Sequence, residues 1–164
     1  MKLVEQRFPV SDYDLAATLT SGQAFRWREV NGAWEGVIGH HWMRLRQEQN
    51  VIIAQTVAGS RGALSSWDWL RHYLQMEVDL PDILATFPSD DPALQTAVAH
   101  CRGLRLLRQE PWECLASFIL SSSKQIVQIQ QIVGLLCERF GDPLPVPAGH
   151  DPAYSFPSAE RLAG

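Results

Sequence analysis

Phe25-Arg26-Trp27-Arg28-Glu29-Val30-Asn31-Gly32-Ala33-Trp34-Glu35-Gly36-Val37-Ile38 is the stretch on which the reading of the fold turns. Asn31 and Gly32 both tolerate the positive φ that a two-residue type I′ turn requires, and strand-forming residues stand on either side. The stretch therefore predicts a tight β-hairpin. Downstream, Gly39-His40-His41 precedes the alternating run Trp42-Met43-Arg44-Leu45-Arg46, and Val51-Ile52-Ile53-Ala54 follows Gln49-Asn50. Residues 1 to about 57 thus read as short strands in an antiparallel meander with one buried face. In Phe25-Arg26-Trp27-Arg28 the aromatics would share the core face of a strand and the arginines the other, in structural or solvated roles. Upstream, a short helix is expected from Asp12 to about Leu19, with Ser11 as its cap.

Near residue 60 the period changes. Trp67, Leu70 and Leu74, with Tyr73 beside them, recur at helical spacing. Two shorter helices, Asp79 to Phe87 and Asp91 to His100, each carry a proline near the first turn, where a missing N–H costs nothing. Gly103 punctuates the chain, and the expected domain boundary falls there: an α+β unit over 1–103, then the start of a helical unit over 104–164. Pro111 opens the next helix with Glu113 in its first turn. Its nearly continuous apolar run, Leu115 to Leu120, predicts burial on most of its circumference. Ser122 and Gln125 stand in capping-box spacing ahead of Ile126, Ile129, Val133 and Leu136, which form one stripe. Gly141 is expected as a left-handed cap, with Pro143 after it. Residues 142–157 form a proline-rich connector, and Ser158 to Gly164 reads as the first turns of a further helix.

Composition bounds the function. With 164 residues, 46% hydrophobic and 20% charged, the chain can bury a core as one large or two small domains and is not disordered. No apolar run is long enough to span a membrane, and the start resembles neither a secretory signal nor a transit peptide, so a soluble intracellular protein is expected. Cys101, Cys114 and Cys137 are odd in number and form no C-x-x-C pair, which argues against zinc or a redox dithiol and for buried structural thiols. His40, His41, His72, His100 and His150 lack metal-ligand spacing, and no Gly-rich phosphate loop is present. The net charge of −4 is uneven: residues 101–140 hold five Lys/Arg against three Glu, for +2, leaving −6 elsewhere. Phosphate binding depends on local basic surface, so DNA is not excluded.

Two segments carry a more specific message: Ser21-Gly22-Gln23-Ala24-Phe25-Arg26-Trp27, and Gly103 to Gly141, GLRLLRQEPWECLASFILSSSKQIVQIQQIVGLLCERFG. Together they resemble the amino-terminal half of the 8-oxoguanine DNA glycosylases, base-excision repair enzymes of the helix-hairpin-helix superfamily. The resemblance implies an α+β, TATA-binding-protein-like antiparallel sheet domain with packed helices, followed by the first helices of an all-α glycosylase domain. It implies double-stranded DNA carrying oxidised guanine as the partner, a monomer, a location with the DNA (cytoplasm and nucleoid, or nucleus), and no metal or organic cofactor.

By the same resemblance, Gly22 offers its main-chain carbonyl to the lesion. Guanine N7 is a bare acceptor whereas 8-oxoguanine N7 carries a hydrogen, so a fixed carbonyl gains a bond with one and meets a lone pair on the other. Glycine suits a backbone that approaches a base edge closely; the plainer reading is that Gly22 only ends the preceding helix. The family's Ser-Ser-Asn-Asn-Asn tip, which fills the gap left by the flipped nucleotide, is matched by residues ending in Ser123, Lys124 and Gln125. The family's arginine at the orphaned base is matched by Gln128. These departures leave the opposite-base preference open, and a glycosylase for another damaged base remains an alternative. So does a non-catalytic module binding damaged DNA or a partner. The family's nucleophilic lysine and its aspartate lie beyond the residues matched by Phe156 to Gly164; neither Lys2 nor Lys124 corresponds, and no catalytic residue is assigned in this stretch.

Overall fold

The computed structural model describes residues 1–59, 66–122 and 124–164. Five strands, β1 (Leu3–Pro9), β2 (Arg28–Val30), β3 (Ala33–Ile38), β4 (His41–Glu48) and β5 (Val51–Val57), form one antiparallel sheet in the order β1-β5-β4-β3-β2. The expected meander is β2 to β5, and β1 returns to pair with β5. Val30 faces Ala33 across the Asn31-Gly32 turn, whose φ values are 50° and 72°, the two-residue hairpin expected. Strand β2 starts at Arg28, so Phe25, Arg26 and Trp27 approach the sheet as irregular chain and the expected two-faced alternation is not realised there.

Helix α1 spans Leu15–Thr20, beginning later than expected. Asp14, not Ser11, caps it: its carboxylate accepts from the Ala17 N–H at 2.8 Å, while Asp12 sits at φ 48°, outside helical geometry. Helices α2 (Asp68–Tyr73), α3 (Leu80–Leu84) and α4 (Pro92–His100) follow, the last two capped by Asp79 and Asp91. The core lies between the sheet and the first two helices: Leu15 and Leu19 of α1, and Leu70 with the adjoining Leu74, pack on Phe8, Met43, Leu45 and Ile52. Two buried polar groups are satisfied within it, Tyr13 Oη donating to the Leu74 carbonyl at 2.7 Å and Trp27 Nε1 to Tyr73 Oη at 3.1 Å.

Helices α5 (Pro111–Leu120), α6 (Ile126–Phe140) and α7 (Ala159–Ala163) complete the described chain. The expectation that α5 is buried on most sides is not met. Among its residues only Ala116 and Ser117 are buried, while Leu115, Phe118 and Ile119 are 54%, 73% and 62% exposed. One face of α5 meets α6, and its first turn meets Arg26 through Glu113 and Pro157 through Trp112, which leaves the face of Leu115, Phe118 and Ile119 open. Helix α6 buries Ile129, Val133 and Cys137 against Phe25, Leu120, Tyr154 and Phe156, so the buried stripe runs through Cys137 instead of Ile126 and Leu136. Gly141 is not a left-handed cap but extended, at φ −83°. Its missing Cβ makes room for the Ser155 carbonyl, which folds back on the helix end. Of the cysteines, Cys137 alone is buried; Cys101, just past the end of α4, and Cys114, on α5, are exposed. None of the helices among the described residues is long and apolar enough to cross a membrane.

Candidate lesion-reading and DNA-facing site

Helix α1 ends at Ser21 in right-handed geometry, and Gly22 then takes φ 84°. A side chain pays about 1–2 kcal/mol for this left-handed conformation, so glycine at this position has a conformational reason as well as any functional one. The turn does not stand alone. A Cβ built on Gly22 would lie 3.4 Å from Ile126 Cδ1, in the first turn of α6. The structure thus brings Gly22 beside the segment holding Lys124, Gln125 and Gln128, which the sequence could not place. Ser123 lies outside the described residues.

Around the start of α6 the roles diverge. Lys124 is exposed, its amide donating to the Ser121 carbonyl at 3.2 Å, so its ammonium stands in solvent beside the amino terminus of a 15-residue helix. Gln125 is the N-cap, and its main-chain N–H donates to Gln128 Oε1 at 3.1 Å. The capping box is therefore Gln125–Gln128, one turn later than the Ser122–Gln125 pair expected, and the Gln128 oxygen has a structural task. The Gln128 amide Nε2 makes no hydrogen bond among the described residues.

Behind this surface runs a buried polar layer. Arg26 pairs with Glu113 at 3.3 Å and donates to the Tyr154 carbonyl, tying the segment after Gly22 to α5 and to the connector. Burial raises the Glu113 carboxyl above its ordinary value, with Arg26 pulling it only partly back. Burial likewise raises the Cys137 thiol, which makes it an inert core group. The basic surplus of residues 101–140 is only partly superficial. Arg105 is 5% exposed, lies over the Tyr13 ring at 5.0 Å and donates to the Gly103 and Ser11 carbonyls; Arg102 pairs with Asp12 at 2.9 Å. Arg102, Arg108, Lys124 and Arg139 are the exposed cations of that stretch, Arg102 already paired with Asp12. A cleft of about 570 Å³ between β2–β3 and α6 contains Arg28, Trp42 and Gln131 but neither Gly22 nor Lys124, so it lies apart from the surface made by the Gly22 turn and the α6 terminus. Among the described residues no group of His, Cys, Asp or Glu could hold a metal ion.

Sequence reasoning missed Gln23 and Gln109. The Gln23 carboxamide donates to the Thr18 and Arg105 carbonyls at 3.0 and 2.8 Å and accepts from the Leu107 N–H at 2.7 Å. Gln109 Nε2 donates to the Gln23 carbonyl at 2.5 Å. No spacing rule links residues so far apart, and Gln109, between Arg108 and Glu110, carries no local signal of its own.

Solved structures share this fold. The chain superposes on MBOgg1, solved in complex with a low affinity DNA ligand, with a TM-score of 0.82 and 30% identity, over 99% of this chain and 56% of that one. On the apo form of the 8-oxoguanine glycosylase/lyase of Clostridium acetobutylicum it superposes with a TM-score of 0.79 and 24% identity, over 95% of this chain and 56% of that one. The class that this fold defines is that of the 8-oxoguanine DNA glycosylase amino-terminal domains. Residues 6–115 match the family described as 8-oxoguanine DNA glycosylase, N-terminal domain, and the chain belongs to that family. It is 32% identical over 155 residues to the N-glycosylase/DNA lyase OGG1 of Arabidopsis thaliana, a match covering 93% of this chain and 42% of the relative. The chain spans about two fifths of the length of the curated relatives it matches.

Proposed function

We propose that this chain is the lesion-reading and DNA-engaging part of a DNA glycosylase with AP-lyase activity. It would serve base-excision repair by accepting oxidised purine, 8-oxoguanine in particular, flipped out of duplex DNA. The observation that carries this reading is the contact between the left-handed Gly22 turn and the first turn of α6. A backbone group suited to reading a base edge thereby stands next to a helix amino terminus with Lys124 beside it, suited to holding a phosphate. In this reading Gly22 distinguishes N7–H from a bare N7. Lys124 and the α6 terminus position the duplex, Gln128 Nε2 and Gln125 face the strand left behind by the flipped nucleotide, and Ser123 is assigned to that task by family likeness alone.

The nucleophilic lysine and the aspartate of the family's reaction are assigned to sequence that follows residue 164 in the intact protein. A lysine attacking the deoxyribose C1′ displaces the base and leaves a Schiff base that permits strand scission. We further propose that residues 1–103 and 104–164 belong to different units of that protein. The exposed Leu115, Phe118 and Ile119 support this, being an apolar face of the kind that further helices cover. The intact protein would act as a monomer in the compartment that holds its DNA.

Borohydride trapping with the full-length protein tests the reading. Duplexes carrying 8-oxoguanine opposite each of the four bases should yield a covalent adduct, and guanine duplexes should not. This 164-residue chain alone should give none. Trapping by the chain alone would place the nucleophile at Lys2, Lys124 or the terminal amine and overturn the assignment. An adduct formed only with another damaged base would replace the lesion.

A further inference from the structure

We propose that Gln23 and Gln109 are positioning residues for the Gly22 turn, so that lesion selectivity depends on them; this rests on the reading of Gly22 given above. Residues 104–109 run as irregular chain from Gly103 to the start of α5, and no described strand pairs with them. Their main-chain polar groups are met instead by side chains of the α1 end and the turn after it. The Arg105 N–H donates to Thr18 Oγ1 at 3.1 Å, the Arg105 carbonyl accepts from Gln23 Nε2, and the Leu107 N–H donates to Gln23 Oε1. Donating to residue 105 and accepting from residue 107, the Gln23 carboxamide does what one peptide unit of a neighbouring strand would do. The same Nε2 reaches the Thr18 carbonyl and Ser21 Oγ, the latter at 2.9 Å, so the group spans the residues on both sides of the turn. Gln109 closes the arrangement from the opposite side by donating to the Gln23 main-chain carbonyl.

Gly22 sits inside this clamp. Its own conformation is the softest in the segment, because glycine lacks the Cβ that would restrict φ and ψ. A carbonyl that must tell a hydrogen from a lone pair has to be held by its neighbours. Here Gln23, the residue after Gly22, is held by its own carboxamide and, at its main-chain carbonyl, by Gln109, and those bonds anchor it to the segment leading into α5. The turn, the entry to α5 and the α6 terminus are thereby set in one frame, whereas a helix end capped by Gly22 alone could rotate.

The test uses the full-length protein and compares its Kd for a duplex containing 8-oxoguanine with that for the same duplex containing guanine. Gln109→Met removes one bond to the turn while leaving the Gln23 carboxamide in place. Gln23→Glu keeps the shape but turns a carboxylate oxygen toward two carbonyls. The ratio of the two Kd values should fall about threefold in Q109M and about tenfold in Q23E, with guanine-duplex affinity within about twofold of wild type. Ile53→Val, in the sheet core away from the turn, is the control for a general loss of stability and should leave the ratio unchanged. A wild-type ratio in both Q109M and Q23E overturns the inference alone, as does an equal fall in I53V. Wild-type protein that binds both duplexes equally overturns the Gly22 reading and this inference together.

Discussion

Gly22 lies close to Ile126: a Cβ added to the glycine would stand 3.4 Å from the isoleucine Cδ1. The turn after α1 and the first turn of α6, far apart in sequence, are therefore one surface, and substitutions at Gly22 act on two things that can be separated. Gly22→Ala should cost about 1–2 kcal/mol in urea denaturation, because alanine is strained at φ 84°. Gly22→Asn should recover most of that stability, since asparagine tolerates the left-handed region. Both place a Cβ 3.4 Å from Ile126 Cδ1, which crowds the surface proposed to take the base edge and shifts the carbonyl beside it. Both should therefore lose about tenfold in affinity for an 8-oxoguanine duplex while binding a guanine duplex as wild type does. Lesion affinity restored in G22N would reduce the glycine to a helix stop.

Lys124 should behave in the opposite way. Its ammonium is exposed beside the α6 amino terminus, a position that recognises phosphate and carries no base information. Lys124→Ala should weaken binding to lesion and plain duplexes by the same factor, and the slope of log Kd against log salt should fall by about one. Anisotropy titrations at three salt concentrations measure both quantities. A loss confined to the lesion duplex would move Lys124 from the backbone to the flipped base.

The sheet and most of the helices were legible because their signals are local. The Asn31-Gly32 turn, the alternation through Trp42 to Arg46, and the helix starts near Asp79 and Asp91 each follow from residues a few positions apart. Errors arose where a distant residue decided the outcome. Gly141 is extended because the Ser155 carbonyl occupies the space a Cβ would need, and helix-end patterns carry no trace of Ser155. The start of α1 slid to Leu15 because Asp14 is held by the Gly103 carbonyl at 2.8 Å. At the site, Gly22, Lys124, Gln125 and Gln128 could be picked out by likeness to a family, but their convergence, and the clamp made by Gln23 and Gln109, exist only in three dimensions.

The Arg26–Glu113 pair gives a pH signature. Both side chains are largely buried, at 10% and 16% exposure, and burial outweighs Arg26 in setting the Glu113 carboxyl, whose folded value lies above its ordinary 4.5. The folded protein thus binds this proton more tightly than the unfolded chain. Glu113 therefore adds stability as pH falls through the raised value toward 4.5, and that increment is absent at neutral pH. Glu113→Gln lacks this titration, so wild type should gain stability relative to E113Q as pH falls from about 7 to about 4 in parallel urea melts. Arg26→Ala leaves the carboxylate buried and unpaired, and should cost on the order of 3–5 kcal/mol at about pH 7. A flat wild-type minus E113Q difference would mean that Arg26 fully offsets the burial.

Phe118 tests whether the outer face of α5 has a covering that the described chain does not provide. With 73% of its surface exposed, it contributes little to the packing of these 164 residues. Phe118→Ser in this chain should change stability by no more than about 0.5 kcal/mol, the ordinary range for an exposed site. In the full-length protein, if further helices bury this face, the same substitution should cost about 3–5 kcal/mol, as for other large aromatics removed from a core. Paired denaturation curves of the short and long proteins, each with and without the change, give the difference directly. Equal and small effects in both would leave α5 an exposed helix in the whole protein and would remove the support it gives to a second unit beginning near residue 104.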